Sequence, residues 1–404
     1  MSIGVDVLSA RVRSLTESAT LEMTRLSREL KEKGIDVITL SIGEPDFNTP
    51  EPIKEAAKAA IDNNLTHYPP VPGFPELRNV IAEKLRRDNG VAFMPSQIIV
   101  SNGAKQSISN AFFALLDEGD EVIIPAPYWV SYPEMVKMAG GKPVYIPSTV
   151  ETDFKISPEQ LENAITEKTK AFIFSSPCNP SGSVFSRDEL QAFAEVLARH
   201  PRIFVISDEI YEYIRFDGKH ESICQFEHIS NRVIIINGLS KGFAMTGWRV
   251  GYMAAAQVIA DACNTIQGQY TSGSCTISQA AAIKAIQTDP ESCTELKTMV
   301  AAFRERRDLL FNLLSEIKGV IPNKPEGAFY MFPDISYYFG KTDGKVQIRN
   351  SYDLCLYLLD KAHVALVSGD AFGCDQCIRF SYATSSQQIV EAVKRVKLAL
   401  EQLH

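Results

Sequence analysis

The sequence predicts an α/β fold in which a large domain with a doubly wound, mostly parallel sheet is joined to a smaller α+β domain. At 404 residues the chain is longer than one core of ordinary size requires. From about Gln97 onward, short and continuously apolar runs alternate with amphipathic stretches, which is the pattern of strands that helices cover on both faces. After Pro290 the composition changes to a long charged helix and then to short strands, which indicates a second unit.

The first 49 residues are predicted to form an amino-terminal segment that is part of the small domain. Residues 10–33 carry leucines and a methionine at helical spacing, and Gly34 is typical of a helix end. Ile35–Leu40 predicts a short strand, followed by a loop over residues 41–47. The large domain is expected to cover residues 50–290 and the small domain residues 291–404.

The large domain is predicted to open with a helix over residues 50–63. An irregular, proline-rich segment follows over Thr66–Gly73 and carries Tyr68. Loops of this kind often carry function, although a role in shaping the chain explains the segment equally well. Apolar runs then predict six strands, over residues 98–100, 121–124, 144–146, 171–174, 203–206 and 233–236.

The small domain is predicted to begin with a long helix over residues 294–318. Its charge cluster, Arg304–Asp308, is interpreted as a solvated face. Strands are predicted over residues 328–332, 363–367 and 377–381, with a closing helix over residues 386–403.

Charge and composition limit the possible partners and the compartment. The formal net charge of −8 disfavours nucleic acid and anionic membranes, because both attract basic surfaces. The amino-terminal residues 1–6 lack the pattern of a signal peptide, and no apolar run is long enough to cross a bilayer. The sequence therefore predicts a cytoplasmic protein.

The cysteines and histidines do not suggest a metal site. The eight cysteines are scattered along the chain, which favours free thiols over a disulfide framework. Cys374 and Cys377 form a lone C-x-x-C, and zinc would require a second pair or nearby histidines. These two cysteines are interpreted as structural, and no metal is expected.

Lys241 is the first candidate for chemistry. It follows the apolar run 233–236 within the segment Asn237–Tyr252, at the carboxyl end of a strand, where open α/β sheets bind ligands. Arg249 is close enough in sequence to hold an anion. The alternative is a surface lysine in an ordinary loop.

A second candidate lies in Ser101–Gln106, which follows a strand and opens an amphipathic helix. Its small residues Gly103 and Ala104 leave backbone N–H groups free to bind phosphate, although any tight turn between strand and helix can contain glycine. Neither the dinucleotide-binding nor the P-loop glycine motif occurs, since Ile335 stands where the P-loop motif would need its first glycine before Gly340-Lys341-Thr342.

Three further segments follow predicted strands. Asp208 ends an apolar run and has Tyr211 three residues on; a carboxylate there requires a cation or a protonated nitrogen, or else caps a helix. Asn179 is bracketed by Pro177 and Pro180, which fix the backbone and could aim its amide at a ligand. The aromatic segment 127–132 supplies Trp129 for packing or for stacking on a ligand.

Because these segments all follow strands of one predicted sheet, a single crevice can collect them. A lysine, a carboxylate, an aromatic ring, phosphate-binding amides and an arginine together match pyridoxal 5′-phosphate. The lysine would bind this cofactor covalently, the acid would keep its ring nitrogen protonated, and the arginine and amides would bind its phosphate.

With these motifs the sequence resembles the fold-type I pyridoxal-phosphate aminotransferases of class I, and it is most similar to the prokaryotic subgroup of aspartate aminotransferases. The resemblance runs nearly end to end. Its most specific pieces are Ser240-Lys241 with Met245–Tyr252, Ser207–Tyr211, Asn179–Gly182 and Pro127–Tyr132.

The resemblance implies roles for the cofactor site. Lys241 would hold the cofactor and move the proton, and Asp208 would pair with the ring nitrogen. The other implied cofactor-binding residues are Gly103, Ala104, Lys105, Trp129, Asn179, Tyr211, Ser240, Arg249 and Tyr68. Tyr68 matches a tyrosine that reaches the phosphate of the neighbouring subunit, so a homodimer with shared active sites is expected.

The resemblance also implies a substrate site and a reaction. Arg379 would bind the substrate α-carboxylate, and Gly43 would close over the substrate together with Trp129 and Asn179. Lys105 and Thr20 would bind the distal carboxylate, although Lys105 beside a phosphate turn could instead bind phosphate. The expected reaction is ping-pong transamination from aspartate to 2-oxoglutarate, giving oxaloacetate and glutamate. Its expected partners are therefore small molecules, namely amino acids and 2-oxo acids.

Several alternatives remain open at this point. An aromatic or broad-specificity aminotransferase, a C–S lyase or an acyl-condensing synthase would keep Lys241, Asp208 and Arg379. A sensor domain of a transcription regulator would need an added DNA-binding domain, and a nucleotide-binding protein would need no pyridoxal phosphate. Relatives that aminate prephenate carry a lysine where Thr16 aligns, so prephenate activity is not expected.

Overall fold

The computed structural model describes residues 7–404, so the predicted absence of a signal pattern in residues 1–6 lies outside the described part. The α-helices are α1 Ala10–Arg13, α2 Ala19–Glu32, α3 Glu51–Asp62, α4 Pro75–Asn89, α5 Ala104–Leu115, α6 Ser131–Met138, α7 Pro158–Ala164, α8 Arg187–Ala198, α9 Glu227–Ser230, α10 Gln257–Tyr270, α11 Thr276–Gln287, α12 Thr294–Ser315, α13 Ser351–Lys361 and α14 Ser386–Leu400. The strands are β1 Ile38–Thr39, β2 Ile98–Ser101, β3 Glu121–Pro125, β4 Lys142–Ile146, β5 Thr169–Ser175, β6 Phe204–Asp208, β7 Val233–Gly238, β8 Gly251–Ala254, β9 Tyr330–Met331, β10 Val364–Ala365, β11 Val367–Ser368 and β12 Ile378–Ser381.

Seven strands form the central sheet in the order β2-β8-β7-β6-β5-β3-β4. Strands β3 to β7 pair in parallel, whereas β8 pairs antiparallel with both β2 and β7. The predicted α/β fold with a mostly parallel sheet is confirmed. Strand β8 was not predicted, because its residues Gly251–Ala254 include no β-branched side chain.

Helices cover both faces of this sheet. Along β7, Val233 and Ile235 pack into one apolar cluster, whereas Ile234 and Ile236 pack into the cluster on the other face. All four side chains are fully buried. Successive residues of a strand face opposite sides of the sheet. The continuously apolar runs are therefore explained by a sheet that is buried on both faces.

The amino-terminal segment packs against the carboxyl-terminal part of the chain. Strand β1 pairs in parallel with β10, matching Ile38 with Val364 and Thr39 with Ala365. Arg395 also donates to the Asp36 carboxylate at 2.7 Å. A third apolar cluster joins this segment to residues 293–403 and to residues 211–216. The boundaries at residues 49/50 and 290/291 stay a prediction.

The prediction of one helix over residues 10–33 is wrong, because α1 and α2 are separated by residues 14–18. In this interval the backbone N–H and the hydroxyl of Thr16 both donate to the Glu134 carboxylate, each at 3.1 Å. A tertiary contact therefore replaces the helical hydrogen bonds. The predicted strand over residues 35–40 is likewise reduced to the two residues of β1.

The interpretation of Arg304–Asp308 as a solvated face is wrong for two of its members. Arg307 is 6% exposed, donates to the Pro325 carbonyl and lies over the ring of Phe216. Arg306 donates to the Asp46 carboxylate at 2.7 Å and so ties helix α12 to the loop after β1. Charge alone did not identify this side of the helix as a packing surface.

Within residues 7–404, no helix combines the length and apolar character needed to cross a membrane.

Candidate active site

A cavity of about 340 Å³ lies at the carboxyl edge of the central sheet. Strands β5, β6 and β7 end there at Ser175, Asp208 and Gly238, as expected for a ligand site in an open α/β sheet. The predicted site residues that line it are Thr20, Gly43, Ala104, Lys105, Trp129, Asn179, Asp208, Tyr211, Ser240, Lys241, Arg249 and Arg379. Residues from eight separate stretches of sequence thus meet in one space.

Lys241 lies in the turn that follows β7, and its side chain points into the cavity. Its amine donates to the carbonyl of Gly43 at 2.5 Å. Burial lowers the pKa of Lys241 to about 8, against a smaller raising effect of Glu44. The lowered pKa raises the fraction of neutral amine near neutral pH above that of an ordinary lysine, and the neutral amine is what attacks a carbonyl. The alternative of a solvated surface lysine is excluded.

Asp208 is the last residue of β6 and is buried. Its carboxylate accepts from the Tyr132 hydroxyl at 2.6 Å and from the backbone N–H of Ile210 at 3.2 Å. Burial raises the pKa of Asp208 to about 6. No lysine, arginine or histidine in residues 7–404 forms an ion pair with it, and a turn rather than a helix follows. Its open side can therefore receive a cationic group from a ligand.

An anion-binding turn lies between β2 and α5. Gly103 has a φ of +85°, and a Cβ there would overlap the guanidinium of Arg249. That guanidinium donates to the carbonyls of Thr246 at 2.8 Å and of Asn102 at 3.3 Å. Helix α5 begins at Ala104 without a side-chain cap from the described residues. Free N–H groups and a cation at one helix start favour a phosphate.

Gly251 makes the turn between β2 and α5 possible. It is the first residue of β8, and a Cβ at this position would overlap the backbone of Gly103 and Ala104. Only glycine lets the start of α5 lie directly against the sheet. Gly103 is therefore held next to Arg249 but does not itself line the cavity.

Arg379 lies on β12 and is 2% exposed. Its guanidinium donates to the Asn179 side-chain oxygen at 2.9 Å and to the Ser41 carbonyl at 2.6 Å, while its Nε atom has no partner in residues 7–404. Rings of Tyr330 and Phe372 lie 4.5 Å and 5.0 Å from the guanidinium carbon. A buried cation without a carboxylate is a strong binding group for an anionic ligand.

Tyr211 is buried and its hydroxyl lies 2.9 Å from that of Tyr330. Tyr330 therefore contacts both Tyr211 and the guanidinium of Arg379. A Cβ at Gly43 would meet the Tyr330 hydroxyl at 2.6 Å, so the loop that carries Gly43 packs closely over this tyrosine. Tyr330 therefore contacts Tyr211, Arg379 and the loop that carries Gly43.

Lys105, Trp129 and Thr20 also line the cavity, and Lys105 is the exposed residue of the three. The Lys105 amine lies 4.9 Å from the centre of the Trp129 ring. Burial, followed by the nearby charge of Arg249, lowers the pKa of Lys105. Thr20 lies in the first turn of α2, so the amino-terminal segment contributes to the cavity lining.

Tyr68, like Gly103, is a predicted site residue that does not line the cavity. Its side chain is 97% exposed, within the irregular segment after α3. Residues that the sequence did not single out, chiefly Tyr132, Tyr330 and Glu44, line the cavity instead. Tyr132 belonged to the aromatic segment 127–132 and Tyr330 to a predicted strand, so only their three-dimensional neighbours reveal them.

Comparisons with known proteins agree with this geometry. The family model described as "Aminotransferase class I and II" matches residues 35–396. A bifunctional aspartate aminotransferase and glutamate/aspartate-prephenate aminotransferase from Petunia hybrida is 50% identical over 98% of this chain and 84% of its own length. The crystal structure of an aspartate aminotransferase from Rhizobium meliloti superimposes with a TM-score of 0.94 at 41% identity, covering 98% of this chain and 99% of its own. An aspartate aminotransferase from Thermus thermophilus with maleate superimposes with a TM-score of 0.91 at 39% identity, covering 97% and 99%.

Proposed function

Because the chain belongs to the class I and II aminotransferases, we propose that it transfers the amino group of aspartate to 2-oxoglutarate, giving oxaloacetate and glutamate. The observation that carries this proposal is one cavity that contains a nucleophilic lysine, a buried carboxylate without a cation and a buried arginine without an anion. The test is incubation of the coenzyme-saturated protein with aspartate and 2-oxoglutarate. Oxaloacetate is expected, whereas pyruvate and ammonia from a β-substituted amino acid would favour a lyase.

The residues present fit pyridoxal phosphate. When bound, this cofactor supplies a carbonyl for covalent attachment and a ring that withdraws electrons from the substrate's α-carbon. Lys241 would hold it covalently, and Asp208 would receive the protonated ring nitrogen on its open side. The anion-binding turn of Gly103, Ala104 and Arg249 suits its phosphate, with Ser240 beside it.

The remaining cofactor contacts are assigned by what each side chain offers. Trp129 provides a flat aromatic face at the cavity wall, suited to stacking on a ring. The Asn179 side-chain oxygen is engaged by Arg379, which leaves its NH₂ group to donate to a phenolic oxygen. The Tyr211 hydroxyl is shared with Tyr330 and can donate to the same oxygen.

Lys241 has a second task once a substrate amine replaces it. Its amine, with a pKa lowered to about 8 by burial, would accept the proton from the substrate's α-carbon and, with the cofactor bound, return it to the carbon that had been the cofactor's carbonyl. The carbonyl of Gly43 accepts a hydrogen bond from this amine and holds it inside the cavity. Asp208 keeps a negative charge where positive charge must persist on the ring nitrogen.

Two cationic groups support a dicarboxylate substrate. Arg379 presents a planar guanidinium whose geometry matches the α-carboxylate. Lys105 and Thr20 both line the cavity, and Lys105 is its remaining lysine. The Thermus thermophilus relative was solved with maleate, itself a dicarboxylate. We assign the distal carboxylate of aspartate to Lys105 and Thr20.

Substitution of Lys105 by alanine is expected to lower kcat/KM for aspartate by roughly 10- to 100-fold, since a charged hydrogen bond contributes about 1.5–3 kcal/mol. The value for alanine, which lacks the distal carboxylate, should change little. Donor panels of the variant and of Lys168→Ala, a control on the exposed surface, measure this selectivity. Equal losses for both donors with weaker coenzyme binding would assign Lys105 to the phosphate instead.

Substitution of Tyr132 by phenylalanine is expected to lower kcat by roughly 10-fold, because the Asp208 carboxylate loses its 2.6 Å donor. Loss of a donor to the charged form raises a carboxyl pKa. The acid limb of the pH–kcat profile should therefore move to higher pH. The control is Tyr145→Phe, at an exposed ring. An unchanged pH profile with reduced stability would reduce Tyr132 to a packing role.

Two observations bear on prephenate as an amino acceptor, and they point in opposite directions. The Petunia hybrida relative carries prephenate in its name. In this chain Thr16 is engaged by Glu134 through both its backbone and its hydroxyl, and it offers no cation to an additional carboxylate. We therefore restrict the proposal to aspartate, and prephenate belongs in the acceptor panel as the contrary case.

We further propose that the protein is a cytoplasmic homodimer. Tyr68 is almost fully exposed, in a segment that also exposes Leu65. A tyrosine so placed is available to reach the phosphate of a second copy. The thiols are all free in residues 7–404, which suits a reducing compartment. A sedimentation measurement showing a monomer at working concentration would contradict the shared site.

A further inference from the structure

The C-x-x-C pair is the motif that the proposed reaction does not use. Cys374 and Cys377 span a tight turn, in which the backbone N–H of Cys377 donates to the Cys374 carbonyl at 3.2 Å. Their sulfur atoms lie 3.6 Å apart and both thiols are free. Within residues 7–404, the one group of three potential metal ligands is Glu209, Glu212 and His220, so this pair does not belong to a metal cluster.

The two thiols differ in access and in acidity. Cys374 is partly exposed, whereas Cys377 is 1% exposed in an apolar cluster with Phe332 and Phe372. The hydrogen bond between the sulfurs lowers the pKa of Cys374 and raises the pKa of Cys377. An accessible thiol with the lower pKa beside a buried partner is the arrangement of an attacking and a resolving cysteine.

The turn is fixed to the substrate site on two sides. Cys377 directly precedes β12, which carries Arg379 two residues later. Phe372, at the start of the same loop, lies 5.0 Å from the Arg379 guanidinium, and its carbonyl accepts from the backbone N–H of Tyr128 at 3.1 Å. Tyr128 is the neighbour of Trp129 in the cavity wall.

The loop has little space in which to absorb a movement. A Cβ at Gly369 would overlap the carbonyls of Cys374 and Cys377, and a Cβ at Gly373 would meet the Tyr128 ring at 2.6 Å. The Asp375 carboxylate is held by the backbone N–H and hydroxyl of Ser351 at 3.2 Å and 2.9 Å. Any backbone shift that accompanies closure of the two sulfurs would therefore press on Phe372 and β12, because the rest of the loop is closely packed.

We propose that Cys374 and Cys377 form a reversible modification site, at which a peroxide oxidises the dithiol to a disulfide and thereby weakens the grip of Arg379 on substrate. The Cys374 thiolate attacks one peroxide oxygen, breaking the O–O bond, so that the sulfur becomes a sulfenic acid and hydroxide leaves. The Cys377 sulfur then attacks the Cys374 sulfur and releases water after proton transfer. The dithiol loses two electrons and the peroxide gains them.

The consequence for catalysis rests on the proposed role of Arg379, whereas the disulfide does not. Bond formation brings the sulfurs from 3.6 Å to about 2.05 Å. Displacement of a positioning group by about 1 Å can cost up to about 100-fold in rate. An increase of roughly 10-fold in KM for the amino donor is therefore expected, with coenzyme binding unchanged, because neither Cys374 nor Cys377 contacts the Gly103–Arg249 turn.

The experiment treats the coenzyme-saturated full-length protein with hydrogen peroxide and maps its cysteines by mass spectrometry of non-reduced peptides. A single peptide that contains both Cys374 and Cys377 joined by an internal disulfide is expected. The intact protein should be lighter by two hydrogen atoms. Dithiothreitol should restore both the mass and the KM. Cys374→Ser should keep its KM under peroxide, whereas Cys275→Ser, which removes an exposed thiol outside the pair, should respond like the wild type.

Two results would overturn the proposal. Cys374 recovered as sulfinic acid with Cys377 still reduced would show that the pair does not close. A mapped disulfide with unchanged KM would remove the link to Arg379. If the untreated protein lacks transamination while the disulfide forms, the proposed reaction fails but the modification site stands.

Discussion

The Lys241→Ala variant is expected to lose at least about 10⁴-fold in kcat for transamination, because in the proposed reaction this one side chain supplies both the covalent attachment and the proton transfer. Its amine is the nucleophile of the cavity with a pKa lowered to about 8 by burial. The remaining residues of the cavity still offer a phosphate turn and the Asp208 carboxylate. Coenzyme should therefore still bind, but non-covalently, as an absorbance titration will measure.

The matched control is Lys168→Ala, which removes an exposed lysine outside the cavity. It should retain the wild-type kcat and the wild-type coenzyme spectrum. Retention of more than about a tenth of the activity by Lys241→Ala would assign the proton transfer to another group. Lys105 would then be the first candidate, because it also lines the cavity and its pKa is also lowered by burial.

The Arg379→Ala variant is expected to lose roughly 10²- to 10³-fold in kcat/KM for every α-amino acid donor, because loss of one partner of a buried charge pair costs about 2–5 kcal/mol. Arg379 is the buried guanidinium that faces the cavity without a carboxylate partner in residues 7–404. Donors with and without a distal carboxylate should suffer alike, which separates this role from that of Lys105. Steady-state kinetics with aspartate and alanine measure the comparison.

Arg379→Lys is the conservative control. It keeps the positive charge but removes the planar fork, so a loss smaller than that of the alanine variant is expected. Either substitution of Arg379 also removes the guanidinium that donates to the Asn179 side-chain oxygen and to the Ser41 carbonyl. Near-ultraviolet and visible spectra of the bound coenzyme must therefore stay unchanged for the kinetic effect to be assigned to substrate binding. A selective loss for aspartate alone would contradict the α-carboxylate assignment.

The sheet and the cofactor side of the cavity could be predicted from the sequence because they depend on local patterns. Strands buried on both faces produce continuously apolar runs, and the residues that follow them meet at one edge. Lys241, Asp208 and Asn179 were found in this way and all line the cavity. The assignment of roles to them came from the resemblance to a family.

The remaining contacts depend on residues that are distant in sequence. Tyr132 and Asp208 are 76 positions apart, and Tyr211 and Tyr330 are 119 apart. Neither Tyr132 nor Tyr330 stands in a local pattern that distinguishes a hydrogen-bonding role from packing. The break between α1 and α2 has the same origin, since Glu134 captures Thr16 across 118 positions. Such pairs become visible only when the chain is folded.

The central claim is that Lys241 carries the coenzyme covalently in a transaminase. The most direct measurement is borohydride reduction of the wild-type protein saturated with pyridoxal phosphate, followed by digestion and mass mapping of the labelled peptide. The label is expected on Lys241 alone, and prior addition of aspartate should release the coenzyme from this lysine and prevent labelling. A label on Lys105 or on another lysine, or undiminished labelling of Lys241 after aspartate has been added, would contradict the account.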